Sequence, residues 1–358
     1  MTRIIDRYII REVLKTAFGV TAILVLILVG NQLARVLGRA ASDRLPKDAV
    51  LEFMGLTTLG YLGILIPAAF FISVMLALGR MYRDNEMAAL SATGFGMRHL
   101  YRPLMVTALP VAALLAWLSF YLVPWAAGEA ERVKAEGRQQ MQLSALEPGG
   151  FRSASEGRVV VHTQGRTDND EVTGVFIQHR TDDLVEVATA ERGVLRANGT
   201  DNLLILKNGV RYAGVPGTTG FRIARFSEHG VPVPMPELDM GNDPQERAPT
   251  PELIASGDPD YKAELHWRIS GPVSIIVLML LAVPLSRSNP REGRYGRLAV
   301  GILAYFMYSN LIWVARLAIE RGYLPAWLGF WWVHLLMAAV ALILVGMHYG
   351  TFRSRVRA

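Results

Sequence analysis

Six stretches of this chain are each about 20 residues long and strongly apolar, the length that a helix rising about 1.5 Å per residue needs to cross roughly 30 Å of hydrocarbon. They cover residues 16–37, 51–78, 100–125, 267–285, 298–319 and 328–347. In lipid, a segment must satisfy its own backbone polar groups, so each stretch is predicted to be a membrane-spanning helix. Pro103, Pro110 and Pro124 predict that the third is kinked or irregular at its ends. Between the third and fourth, residues 128–260 are polar and rich in Gly, Asp and Arg. The chain is thus read as two membrane blocks, 1–127 and 261–358, flanking one aqueous domain at 128–260.

The basic residues orient the spans. The N-terminal tail, the second and fourth connections and the C-terminal tail hold 15 Lys and Arg, whereas the short connections on the other side hold six. The positive-inside rule therefore predicts cytoplasmic termini, with the central domain outside. The net charge of +6 is explained by these flanks, and nucleic acid is not an expected partner. Arg3, Arg7, Arg11 and Lys15 precede the first apolar run, but no small-x-small cleavage site directly follows it, so it is read as an uncleaved span.

The outer domain reads as all-β. Alternating runs fall at 158–163, 172–179, 185–190, 203–207, 210–213 and 221–226, and Asn208-Gly209 between two of them predicts a hairpin. Short strands at this spacing suggest a sandwich or jellyroll. The six prolines between Pro232 and Pro251 predict an extended strap returning to the membrane.

Catalytic chemistry is missing from the pattern. There is no cysteine, none of the five lysines follows a glycine as a P-loop requires, and the seven histidines show no metal-ligand spacing. No cofactor is expected. The predicted spans carry no Asp or Glu in their cores, which argues against ion-coupled transport and for energy supplied by a partner. The second connection, from Gly79 to Gly94, is predicted to hold a short helix over 84–94. Asp84, Asn85 and Glu86 suit its positive end, and Gly94 ends it. Such a helix either lies on lipid or docks into a cytoplasmic ATPase. Arg35 and Arg39 share one helical face at the outer end of the first span. They either snorkel to the interface or grip an anionic headgroup, and Arg316 is a second candidate on the same side.

Several segments together resemble the LptF/LptG (YjgP/YjgQ) permease family of lipopolysaccharide export, most like its LptF branch. They are Arg7-Tyr8-Ile-Ile-Arg11-Glu12, Leu33-Ala-Arg35-Val-Leu-Gly38, Gly79-Arg-Met-Tyr82 with Asn85-Glu86, and Ala263-Glu264-Leu-His-Trp267-Arg268-Ile269. The last is Val283-Pro-Leu-Ser286 followed by Asn289-Pro-Arg-Glu-Gly-Arg294. The resemblance implies six spans in a three-plus-three layout with an inserted periplasmic β-jellyroll, in the bacterial inner membrane. It implies one permease half of an ABC transporter that is not itself an enzyme, ATP being bound by a separate subunit. The implied partners are an LptG-like permease, two copies of an LptB-like ATPase, a bitopic LptC-like protein, an LptA-like bridge protein and lipopolysaccharide itself. By the same resemblance Glu86, with Arg83 and Asp84, belongs to the ATPase-coupling helix, and Arg35 faces the lipopolysaccharide cavity. Relatives carry a Lys or similar polar residue just before Arg35, where this chain has Gln32, so Arg39 is the candidate substitute for a second cation; Arg316, from its position, is a further candidate for the cavity. Val159, Val161, Phe176, Leu203, Ile205 and Phe221 are candidates for an acyl-chain slot in the jellyroll, or for its ordinary core. A membrane-anchored periplasmic scaffold and the sibling LptG-type subunit are the alternatives.

Overall fold

The computed structural model describes residues 2–41, 50–145, 149–154, 158–167, 171–181, 184–198, 201–218, 220–232, 243–287 and 296–356. Contacts divide the chain into two units. The first contains residues 1–38, 50–131 and 242–358, and the second 39–49 and 132–241.

The first unit is helical. Helix α1 (Thr2–Ala41) is followed by α2 (Val50–Arg83), the short α3 (Glu86–Ala92), α4 (Tyr101–Trp117) and α5 (Val123–Ala145). After the β-rich segment come α6 (Pro244–Arg247), α7 (Thr250–Ala255), α8 (Pro259–Leu285), α9 (Gly296–Glu320) and α10 (Trp331–Val356). Among the described residues, five helical segments are long and apolar enough to cross a membrane: Ile4–Gly38, Val50–Arg83, Arg98–Gly137, Pro259–Leu285 and Gly296–Glu320. The apolar part of α10, Trp331–Met347, is shorter. Helix α8 is the axis, packing against α2, α4, α9 and α10. Of its most apolar window 61% is buried inside the chain, against 6% for α1, which therefore leaves most of its apolar surface to lipid or to another subunit. Inside the unit, the His334 ring joins three helices, its Nε2 3.1 Å from Ser270 Oγ and its Nδ1 2.6 Å from Tyr308 OH. Buried polar groups in a helix bundle must find such partners.

The third span is irregular near its end, as its prolines predict: a π-turn breaks it at Leu118–Leu122. Pro124 lacks an N–H, so the carbonyl of Phe120 is left without its helical donor. Thr250 Oγ1 donates to that carbonyl at 3.0 Å, which ties α7 to the break. The return strap is not extended in its described part, because Pro244 and Pro251 stand in the first turns of α6 and α7, where a missing N–H costs nothing. These helices also belong to the first unit, so that unit begins well before residue 261. The connecting helix is shorter than 84–94. Asn85 adopts a left-handed conformation (φ 59°) that separates Glu86 from α2, and Gly94 (φ 82°) closes the far end as predicted.

The second unit contains an antiparallel sheet: β1 (Phe151–Ala154), β2 (Val159–His162), β3 (Gly165–Arg166), β4 (Val172–Arg180), β5 (Val185–Asn198), β6 (Asp201–Gly214) and β7 (Arg222–Pro232). The strand order is β1-β2-β4-β5-β6-β7, a meander, with β3 on β4. Asn208-Gly209 does not make a hairpin. Strand β6 runs straight through it, paired on both sides, with Asn208 left-handed at φ 54°. The ladders skip the pairs Gly174–Glu191, Glu191–Asn208 and Asn208–Ser227, which form one line across four strands. Across that line the buried positions step by three residues instead of two: Val172 to Val175 and Ala190 to Gly193. The line is therefore a crease at which each strand carries one extra residue while the register holds. Phe226 lies over Gly209, where a Cβ would come within 2.5 Å of the ring.

Candidate functional site

At the start of α3, two of the family-like segments meet. Tyr8 on α1 donates its hydroxyl hydrogen to Glu86 Oε2 at 2.8 Å and accepts from Arg80 Nη2 at 3.0 Å. The same Arg80 nitrogen lies 3.2 Å from Glu12 and 3.8 Å from Glu86. One guanidinium thus joins α1, α2 and α3. Its Nε is buried and has no hydrogen-bond partner among the described residues. Met87, beside Glu86, is buried in the helical core and pins α3 from the other face. Arg83 pairs with its neighbour Asp84 at 3.1 Å and takes no part in the knot. Tyr8, Glu12 and Arg80 were all present in the segments that carry the resemblance, but no local spacing announces that they meet, because Tyr8 and Glu86 are 78 residues apart.

At the other end of α1, Arg35 donates to Gln32 Oε1 at 3.1 Å and its guanidinium stands 5.8 Å from the Tyr61 ring centroid. Gln32 is buried and Arg35 is exposed. So Gln32 orients Arg35, the role left for a polar residue that carries no charge of its own. The Arg39 side chain, Arg44, Lys47 and the segment 289–294 lie outside the described residues.

Arg316 sits in a different setting from Arg35. It is 7% exposed, with Glu320 at 2.8 Å, Glu264 at 3.4 Å and Glu246 at 3.7 Å. The rings of Trp267 and Trp313 lie 5.3 and 5.8 Å from its guanidinium carbon. A cation so neutralised and enclosed is not presented to an outside headgroup in this conformation. Beside it, Arg268 uses all five N–H groups: Nε to Glu264 at 2.9 Å, Nη1 to Ala248 O and Thr250 Oγ1 at 3.0 and 3.2 Å, and Nη2 to Gln245 O and Glu246 O at 3.2 and 2.9 Å. Arg268 is therefore the buried clamp that holds α6 and α7 on α8. Burial, then the charge of Glu264, pushes the Glu246 carboxyl up to about 7 despite the opposing pull of Arg316. Glu264 and Arg268, four apart on one helix face, were the signal for this cluster. Glu264 stands three residues before the expected start of the fourth span, outside the stretch expected to lack carboxylates, and Arg268 stands just inside it.

The six slot candidates divide between the sheet faces. Val159 and Val161 belong to a closed apolar row with Val175, Ile177, Leu204 and Leu206. Phe176, Leu203 and Ile205 lie on the reverse face, half-buried, as their pairing with Thr189, Arg196 and Val194 fixes. Phe221 is exposed and lays its ring on Gly214 where β6 ends. The closed row already has its packing partners. Among the described strand residues, it is the reverse face that keeps apolar surface to offer.

Comparison with known proteins places these features. The family described as lipopolysaccharide export system permease LptF/LptG matches residues 7–346. The lipopolysaccharide export system permease protein LptF of Escherichia coli (strain K12) is 26% identical over 345 residues, covering 95% of this chain and 94% of the relative. The protein of the same name from Shigella flexneri is similar to the same extent.

Proposed function

The chain belongs to the LptF/LptG family of lipopolysaccharide export permeases, and from that premise we propose that it is the LptF-type half of an ATP-driven lipopolysaccharide extractor. It is a multi-pass membrane protein and a transporter component. In the proposed reading it has six spans in the inner membrane, α10 supplying the sixth, with both termini cytoplasmic and the β unit, an open jellyroll, in the periplasm. The Lys and Arg bias of the connections supports that orientation. An LptG-like chain completes the membrane cavity, and two LptB-like ATPases bind beneath, one of them receiving α3 with Glu86 at its head. An LptC-like and an LptA-like protein continue the path outward.

Lifting acyl chains out of a bilayer costs about 0.8 kcal/mol for each CH₂ exposed to water. The chain must therefore shield the lipid and draw on outside energy. Shielding falls to the apolar surface of α1 and to the reverse sheet face with Phe176, Leu203 and Ile205, while Arg35 meets the phosphorylated headgroup. The observation that carries the reading is the family match, which runs unbroken through both membrane halves and the β unit.

The test is Glu86→Arg in the reconstituted complex, with ATP hydrolysis and lipopolysaccharide release measured together. Hydrolysis without release is expected. Normal release by this variant would remove Glu86 from the coupling role.

A further inference from the structure

Helix α1 is buried only near its two ends, and between them it has no more than a half-buried face. Its buried residues are Ile9 and Val13 near one end and Gln32 and Val36 near the other. From Leu14 to Asn31 no residue is buried. The first attachment is the knot, where Tyr8 and Glu12, one turn apart, both engage Arg80. The second carries Arg35, held by Gln32 and set over Tyr61. The helix between them contains no proline, and at about 1.5 Å per residue it spans roughly 40 Å.

We propose that α1 is a push-rod, and that Tyr8 and Arg80 are the positioning residues that join it to α3. A hydrogen-bonded helix is stiff along its axis, and one with no buried residue in its middle is only lightly restrained by the bundle it passes. Displacement delivered at Tyr8 therefore reaches Arg35. The Tyr8 hydroxyl is the direct bond between α1 and Glu86, so it carries movement of α3 into α1. Arg80 supplies the second arrangement that a mechanical joint needs. It sits closer to Glu12 than to Glu86 and holds a spare buried N–H, so when Glu86 is drawn away it stays with Glu12 and keeps α1 on α2. This inference rests on the reading in which Glu86 faces an ATPase.

The chain has no cysteine, so this subunit adds no background to an introduced pair. Spin labels at Leu33→Cys on α1 and Leu335→Cys on α10, both exposed in this chain, measure the distance between the rod and the bundle. The measurement is made in the full complex with its ATPase, nucleotide-free and trapped after hydrolysis. A nucleotide-dependent shift is expected in the parent complex. In Tyr8→Phe and in Arg80→Met it should fall by at least half, with the ATPase still co-purifying and lipid released per ATP down about tenfold. A parent complex without the shift overturns the rod, and variants that keep it, or lose the ATPase altogether, overturn the joint. The underlying reading fails separately, on Glu86→Arg with normal release, whatever Tyr8→Phe does.

Discussion

Arg268→Met should release the α6–α7 strap while leaving the helical bundle folded. The substitution keeps the apolar stem and deletes five donors, each now within 2.9–3.2 Å of an acceptor. Four of those acceptors are on the strap itself, and the fifth is Glu264. Removing one partner of a buried ion pair costs about 3–5 kcal/mol. The lower end applies here, because Arg316 remains 3.4 Å from Glu264 and shares its charge. About 3 kcal/mol corresponds to roughly a hundredfold in the local opening equilibrium. Gln245 is 8% exposed and contributes only its backbone carbonyl to Arg268, so Gln245→Cys is a reporter that leaves the clamp intact. Maleimide labelling of that cysteine in detergent should run roughly a hundred times faster in the Arg268→Met background. Adding Glu264→Gln, which removes the stranded charge, should recover part of the protection. A rise of less than about threefold would refute the clamp.

Three further outcomes follow from the geometry. Glu246, held near 7 against an ordinary value of 4.5, takes up a proton when the strap docks, so docking is strongest below that ordinary value and weakens as pH rises towards 7. Labelling at Gln245→Cys, normalised to an exposed control cysteine, should therefore quicken between pH 5 and about 8, and Glu246→Gln should flatten the profile. Photocrosslinkers at Phe176 or Ile205 should capture lipopolysaccharide in membranes with ATP, whereas those at Val175 or Leu204, one residue away and buried, should not. Gly209→Val should abolish folding of the β unit, since its Cβ would stand 2.3 Å from the Thr189 carbonyl, and loss of the unit's near-ultraviolet circular dichroism would report it.

The spans were legible because bilayer thickness converts directly into sequence length. Five of the predicted spans fall on helices long and apolar enough to cross a membrane and the sixth on a shorter apolar stretch, and several helices run beyond the apolar run, as in α8, where Asp258 caps a helix that begins eight residues before Trp267. That extension hid Glu264, and with it the reason Arg316 faces inward. Strand positions were legible for a similar reason, whereas strand parity was not. Asn208-Gly209 favours a left-handed residue, and that conformation does occur. Local chemistry does not say whether the chain then turns back or runs on; the two neighbouring ladders decide it. The same crease moved the buried set from even spacing to a step of three, so an alternation counted from Phe176 or Ile205 lands on the wrong face. The knot at Glu86 was the least visible part, being assembled from helices far apart in sequence.

The crease also constrains how this domain can change through descent. Gly174, Glu191, Asn208 and Ser227 occupy four separate places in the sequence but a single line in space. Deleting one of them would slip half a strand by one position against the strands beside it and turn its apolar side chains to the opposite face. Only the loss of all four together would restore a continuous sheet. Gaps in homologous chains should therefore avoid these four sites or strike them in concert, which makes chain length at these points a shared, inherited quantity.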